Sequence, residues 1–335
     1  MGKKRVTNEK KSSNKGVLII TLIVVLFSIF LAVGEQYNLI DTEQLSILLY
    51  GDKSETENEI VEELSASKQT DKTSPETTEL DKTSDLIYIY FWDVGQADSI
   101  LLTSDDKTML IDAGTNEAGK TVVNNIKALG IEKIDYLIGT HPHEDHIGGL
   151  DDVINSFEIG RIFMPKIQTN TKTFEDVLDA IKNNGLKVTA PEKGYEFELG
   201  KINCEVMLCG SGTEQEQKEN LNLSSIILRA TYGEQSYLFT GDAETENEKA
   251  RDWPQTNVLK VGHHGSNTSS SAKFLSQLKP EIAIISCGKN NKYGHPKEIT
   301  LNKLNKIGAT IYRTDEMGTI TLISDGKTNQ IICEK

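Results

Sequence analysis

Half of the histidines in this chain of 335 residues fall within six positions, His141-Pro142-His143-Glu144-Asp145-His146. Neutral imidazoles beside carboxylates suit a borderline divalent ion such as zinc or manganese. The bland alternative is a solvent-facing histidine loop, which such dense clustering makes a weak explanation. His141 and His143 are two apart, so on extended backbone both reach one ion from the same side. Asp145 and His146 lie past a bend and reach a neighbouring ion. Pro142 stiffens the run, and Gly148-Gly149 lets the following backbone pack closely.

Two further segments offer donors. Asp242, in Thr240-Gly241-Asp242, taken alone reads as a cap for a helix beginning near Ala243. Beside a histidine loop it becomes the natural carboxylate bridging two ions. In His263-His264-Gly265-Ser266, one imidazole is expected to bind metal and the other to meet substrate phosphate or transfer a proton. Spacing does not assign them; His263 is favoured as ligand, with His264 as the catalytic partner of Asp145. His295, in the turn Tyr293-Gly294-His295-Pro296, is read as a substrate-side residue over a plain turn residue. Asp93 and Asp112 end strands on the edge of the metal loop and are expected to orient its ligands from behind. Lys260 reads as a solvated strand residue.

The elements that must position these groups are short. Segments 86–92, 99–102 and 108–111 are β-rich runs separated by turn residues, 121–129 reads as a helix, and strand 134–138 runs into the histidine loop. Strands follow at 202–208, 225–231, 235–240, 258–261, 282–285, 310–312 and 319–323. Helices are expected at 173–183, 243–251, 270–277 and 297–307. Mixed strands with interleaved helices over residues 86–335 predict two sheets packed face to face with helices outside. The four cysteines form no C-x-x-C pair and are read as small buried residues. Cys204 and Cys209, five apart in one strand, should face opposite ways.

Ahead of this region the composition changes twice. Residues 1–16 are basic, with Lys3, Lys4, Arg5, Lys10, Lys11 and Lys15 against Glu9. Residues 17–34 contain an uncharged apolar run, VLIITLIVVLFSIFLAV, which predicts one membrane-spanning helix. Flanking Lys and Arg hold its N-terminal side in the cytoplasm, placing the rest outside the cell membrane. The competing reading is a signal peptide, leaving a secreted domain. Residues 35–85 read as an acidic, Ser/Thr-rich disordered tether. The net charge is −14, and residues 86–335 hold 26 Lys and Arg against 35 Asp and Glu. That excludes a general basic groove for nucleic acid, though not an enzyme whose ions meet phosphate locally.

The motifs HPHEDH, TGD and GHHGS, in this order at strand ends, resemble the metallo-β-lactamase superfamily, whose fold is a four-layer αββα sandwich. FWDVGQADS (91–99), LIDAG (110–114), GTHPHEDHIGGL (139–150), TGDAE (240–244), LKVGHHGSNTSSS (259–271) and YGHP (293–296) are similar to the extracytoplasmic hydrolase domain of ComEC-type DNA-uptake proteins. The likeness covers residues 86 to about 325. It implies metal binding by His141, His143, His146, Asp242 and His263 or His264, and a catalytic role for Asp145 with a metal-activated water. Many two-metal relatives carry a further histidine where this chain reads Asn222-Leu-Ser-Ser225, as ComEC-type domains also tend to. That leaves the His141/His143 half one imidazole short, so a weaker, exchangeable ion such as manganese fits there.

The function implied is a membrane-anchored phosphodiesterase or DNA nuclease using one or two divalent ions, zinc or manganese, and no organic cofactor. Asn222, Ser225, Ser266 and His295 are the expected substrate contacts, and other DNA-uptake components the expected partners. With a single span, the chain cannot itself translocate DNA. The rivals are a phosphodiesterase for a small or surface-linked substrate, such as a phosphorylcholine ester or nucleotide, and a non-catalytic tethered binding module.

Overall fold

The computed structural model describes residues 85–335. The expected basic N-terminus, membrane-spanning helix and all but the last residue of the tether lie outside the described residues. Among the described residues no helix is long and apolar enough to cross a membrane.

Alternating and fully apolar runs build two sheets. The first contains β1 (Ile87–Phe91), β2 (Ser99–Ser104), β3 (Lys107–Ala113), β4 (Lys133–Ile138), β5 (Glu158–Phe163), β6 (Val188–Thr189), β14 (Ile320–Ser324) and β15 (Asn329–Cys333), in the order β15-β14-β1-β2-β3-β4-β5-β6. The second contains β7 (Glu196–Leu199), β8 (Ile202–Cys209), β9 (Ile226–Tyr232), β10 (Gln235–Phe239), β11 (Val258–Lys260), β12 (Ile282–Ile285) and β13 (Thr310–Arg313), in the order β13-β12-β11-β10-β9-β8-β7. Their inner faces share one core. Ile87, Ile89 and Phe91 of β1 are fully buried at every second position and meet Val206, Leu228 and Phe239 of the other sheet. The rings of Phe91 and Phe239 lie 6.3 Å apart. Burial of apolar side chains on this scale is the main force holding the sheets together.

Each outer face is closed by helices. α1 (Gly119–Ala128), α3 (Leu150–Ser156) and α4 (Lys172–Asn183) cover the first sheet through Val122, Ile126, Val153 and Val177. α7 (Ala272–Leu278) and α8 (Glu298–Lys306) cover the second through Phe274, Leu275, Leu278 and Leu304. α2 (Glu144–Ile147), α5 (Glu214–Glu219), α6 (Thr245–Lys249) and α9 (Thr314–Met317) are single turns or little more. The result is the four-layer αββα sandwich.

Parallel pairing decides where the chemistry sits. β3 through β6 run parallel, as do β10 through β13, so the C-terminal ends of each set open on one edge. Loops leaving such ends are where α/β folds gather ligand-binding groups. The Ile226 N–H donates to the Thr140 carbonyl at 2.9 Å, tying the end of β4 to the start of β9 in the other sheet.

β8 departs from simple alternation. A bulge between Val206 and Leu208 inserts an extra residue. Cys204 and Cys209 therefore both pack on the inter-sheet core, where plain alternation would send them to opposite faces. All four cysteines are free.

Candidate metal centre

The loop after β4 folds sharply over its own strand end. A Cβ on Gly148 would stand 2.3 Å from the Asn116 nitrogen, and one on Gly149 2.4 Å from the Ala113 carbonyl oxygen. Two glycines are thus required for α2 to lie against the end of β3. The turn buries His141 and His146 completely, while His143 and Asp145 stay partly open.

Asp242, at the end of β10, faces this loop with both oxygens. Its Oδ1 lies 3.1 Å from His146 Nε2 and 3.7 Å from His264 Nε2. Its Oδ2 lies 3.9 Å from His141 Nε2 and 3.7 Å from His263 Nε2. Two donor groups share this carboxylate: Asp145, His146, Asp242 and His264 in one, and His141, His143 and Asp242 in the other.

The residues fit a divalent ion. His146 Nε2, His264 Nε2 and Asp242 Oδ1 are buried and make no hydrogen bond, yet they converge. Buried polar atoms of native proteins nearly always have partners, so three convergent orphans call for a cation. The ring tautomers agree with this. His264 Nδ1 lies 2.9 Å from the Ser286 carbonyl, which can only accept, so that nitrogen carries the proton and Nε2 offers its lone pair. His146 Nδ1 lies 2.7 Å from Asp112 Oδ2, and Asp112 is itself fixed by the Thr140 N–H at 2.8 Å and hydroxyl at 2.7 Å.

Charge is concentrated here. Burial alone would push His146 down, but Asp242 and Asp112 outweigh it and hold its pKa well above the ordinary value. His264 is likewise opposed by burial, yet Asp242, Asp98 and Asp145 raise it to about 10. Burial disfavours the charged forms of Asp145 and Asp242, but neighbouring imidazoles win, bringing Asp145 to about 2 and Asp242 well below its usual range. His141 goes the other way, its pKa lowered first by burial and then by His146. A divalent cation competes with protons for these lone pairs, so binding it releases protons.

Several placements differ from what the sequence suggests. His264 joins the four-donor group, whereas His263 stands to one side, its Nδ1 3.0 Å from Thr268 Oγ1 and 3.3 Å from Glu244 Oε1. Lys260, read as solvated, is fully buried and bonds Asp98 Oδ2 at 2.6 Å. Asp98 in turn places Oδ1 3.4 Å from His264 Nδ1. Neither Asp98 nor Glu244 stands out in the sequence, although both lie inside quoted motifs. Glu244 accepts from Asn220 at 2.8 Å, Asn222 at 3.1 Å and Thr268 at 2.9 Å. Its bond with His263 chiefly holds its pKa at about 2. Asp93, expected behind the ligands, instead accepts from the Gly95 N–H and lies 3.5 Å from Lys335.

A cavity of about 510 Å³ opens over the cluster, walled by His143, Asp145, Asp242, His263, His264 and His295 among others. Of the four expected substrate contacts, His295 is on this wall. Asn222, Ser225 and Ser266 are buried instead. Asn222 is held in a capped 3₁₀ turn and turned towards Glu244, Ser225 is locked where the two sheets are tied, and Ser266 bonds Thr268 at 3.1 Å.

The model of the Metallo-beta-lactamase superfamily matches residues 92–289, a span holding every donor described above. The chain belongs to this superfamily. With its His/Asp cluster, it is a metal-dependent hydrolase of the metallo-β-lactamase fold. It is 32% identical over 250 residues to ComE operon protein 3 of Bacillus subtilis (strain 168), an alignment covering 68% of this chain and 32% of that protein. It is 31% identical over 243 residues to Competence protein ComA of Neisseria gonorrhoeae, covering 68% of this chain and 31% of that one. The chain therefore spans about a third of the length of these relatives, which are competence proteins of the ComEC type. Among solved structures, the metallo-beta-lactamase fold protein YhfI from Bacillus subtilis aligns over 72% of this chain and 100% of its own, with 11% identity and a TM-score of 0.48.

Proposed function

We propose that this protein is a membrane-anchored phosphodiesterase acting outside the cell membrane, with DNA as the first-choice substrate. The observation that carries the reading is the single carboxylate, Asp242, shared by two donor groups at the floor of an open cavity. Divalent ions held there supply Lewis acidity for a phosphoryl oxygen and acidify water. His146, His264, Asp145 and Asp242 would hold one ion; His141, His143 and Asp242 would hold the second.

The chain's own groups do the rest. Asp145 is ionised and partly open to the cavity, so its free oxygen orients the attacking water. Asp112 and the Ser286 carbonyl lock the tautomers of His146 and His264, which keeps both Nε2 atoms available. His263, fixed through Nδ1 by Thr268 and Glu244, presents its other edge to the cavity and is assigned to the substrate side, with His264 as ligand. This reverses the roles that sequence alone favours. DNA as substrate is supported by the competence relatives, and anchoring by the apolar run of residues 17–33.

A second reading, a phosphodiesterase for a nucleotide or another small ester, draws on the acidic surface and the cavity volume, which lies in the range typical of small-molecule sites.

The test is cleavage by the purified full-length protein in detergent, with manganese, zinc or magnesium, of single-stranded DNA, duplex DNA, nucleotides and bis-p-nitrophenyl phosphate. Metal-dependent cleavage that Asp145→Ala abolishes without unfolding the protein is expected. Failure to cleave any phosphodiester sinks the proposal, and cleavage of small esters alone selects the second reading. Reporter fusions after Asp85 should be active outside the cell; activity inside would overturn the placement.

A further inference from the structure

The cavity wall farthest along the chain is unlike the rest of this acidic protein. The loop from Gly288 to Lys297 carries Lys289, Lys292 and Lys297 with no acidic residue. At its tip Tyr293 is 50% exposed, among the most exposed large hydrophobic side chains of the described residues, and it lines the same cavity as Asp145 and His264. The loop is held firmly. Asn291 clamps it by donating to the Gly288 and His295 carbonyls at 2.9 and 2.6 Å while accepting the His295 N–H at 2.9 Å. Lys297 donates from its ammonium to the Tyr293 carbonyl at 2.5 Å and from its backbone N–H to the Gly265 carbonyl at 2.9 Å. A phenol ring is therefore presented to solvent on a preorganised support.

From that ring an aromatic path leads down to the donors. Tyr293 stacks on His295 with centroids 5.7 Å apart and planes 23° apart. His295 meets His263 edge-on at 5.6 Å, and His263 reaches Asp242. The Lys292 ammonium rests 5.0 Å from the Tyr293 centroid. Such a contact at an exposed site is worth roughly two- to fivefold in an equilibrium. A nucleobase stacked on an aromatic ring is worth roughly five- to a hundredfold. The exchange favours the base and frees the ammonium for a phosphate.

We propose that Tyr293 is a stacking platform for an unpaired nucleobase beside the scissile phosphate, with Lys292 taking the neighbouring phosphate. This rests on the phosphodiesterase reading of the site and adds a preference for single strands over duplex, in which every base is already stacked and paired. It also accounts for how a chain without a general basic groove engages a polyanion: by one aromatic contact and a few local cations.

The experiment measures binding with catalysis switched off. Fluorescent oligothymidylate, the same backbone with abasic sites, and a duplex are titrated into the full-length protein in detergent and excess chelator, read by anisotropy. Wild type should prefer oligothymidylate over the abasic strand and the duplex by about tenfold. Tyr293→Ala should erase that preference and Tyr293→Trp keep it. Lys292→Ala should weaken the base-bearing and abasic strands alike and lower the salt slope by about 0.7. Equal binding of base-bearing and abasic strands by wild type, no binding of any strand, or an unchanged preference in Tyr293→Ala overturns the platform. Hydrolysis of bis-p-nitrophenyl phosphate is measured in parallel. Hydrolysis without base preference defeats the platform alone, and base preference without hydrolysis defeats the catalytic reading alone.

Discussion

The two sides of Asp242 are built to different standards. On the Oδ1 side, His146 is locked by Asp112 and His264 by the Ser286 carbonyl, and Asp145 completes four donors. On the Oδ2 side, His141 and His143 bring three donors with Asp242, and their ring nitrogens lie 3.0 Å apart. Asn222 is turned away to Glu244, bonding it at 3.1 Å. More donors with fixed orientation mean tighter binding, because less ordering remains to be done when the ion arrives. We expect a resident ion on the first side and an exchangeable one on the second.

The largest effect tests whether the carboxylate is shared. Asp242→Ala should abolish both metal equivalents and all hydrolysis, measured by metal analysis of the purified protein beside the cleavage assay. One fully retained equivalent would mean that the two groups do not depend on a common oxygen donor. Chelation of the wild type should silence hydrolysis in the same way, and manganese should restore it.

The buried pair behind the first side sharpens the comparison through stability. Lys260→Met strands the Asp98 carboxylate in the core 3.4 Å from His264, at a cost of about 3–5 kcal/mol. The double variant Asp98→Asn/Lys260→Met should recover most of it, since removing both charges leaves nothing unpaired. Denaturant unfolding decides: if the single change is neutral, the pair contributes nothing to the frame.

This pair also marks where legibility ended. The histidine loop, Asp242 and the GHHGS segment could be read because each is a polar run directly after an apolar strand, a purely local signal. Asp98 and Lys260 are 162 positions apart, and a lysine in a short strand looks solvated until the opposite layer covers it. The choice between His263 and His264 was hidden for a different reason. Both take left-handed backbone, with φ of 50° and 51°, so neither strand nor helix periodicity says where their rings point. In the fold, β1 and β14 were legible by alternation and β2, β3, β10, β11 and β12 as mainly apolar runs, but β5, β6, β7 and β15 were not. β5 buries its positions irregularly and β6 is only two exposed residues, while β7 and β15 do alternate but over just four and five residues, too short a run for the period to stand out.

Selective loss comes next in size. His264→Ala removes a donor from the four-membered group, and His141→Ala one from the three-membered group. His141→Ala should lose the exchangeable equivalent and keep the resident one, whereas His264→Ala should deplete the resident ion. Isothermal titration of the metal-free protein with manganese separates the two; identical curves would erase the distinction between the sides. Asp112→Asn should be milder, weakening the first side by roughly 10- to 100-fold, because the ring of His146 stays but the carboxylate that orients it is gone.

The smallest change works in the opposite direction, by adding a donor to the poorer side. Asn222 is buried, its Oδ1 lacks a partner, and its Nδ2 lies 3.4 Å from His263 Nδ1, beside the ring that faces Asp242 Oδ2. Asn222→His would place an imidazole on that side at the expense of one bond to Glu244. If donor number limits occupancy there, the second metal equivalent should tighten on the order of tenfold, about 1.4 kcal/mol, while the first is unmoved. A variant that folds normally but binds the second ion no better would mean that orientation sets the difference between the two sides. His141, held only by the Thr140 hydroxyl at 3.2 Å, and His143 would then lack the firmer hold that Asp112 and Ser286 provide across the carboxylate, and an extra ligand would not repair it.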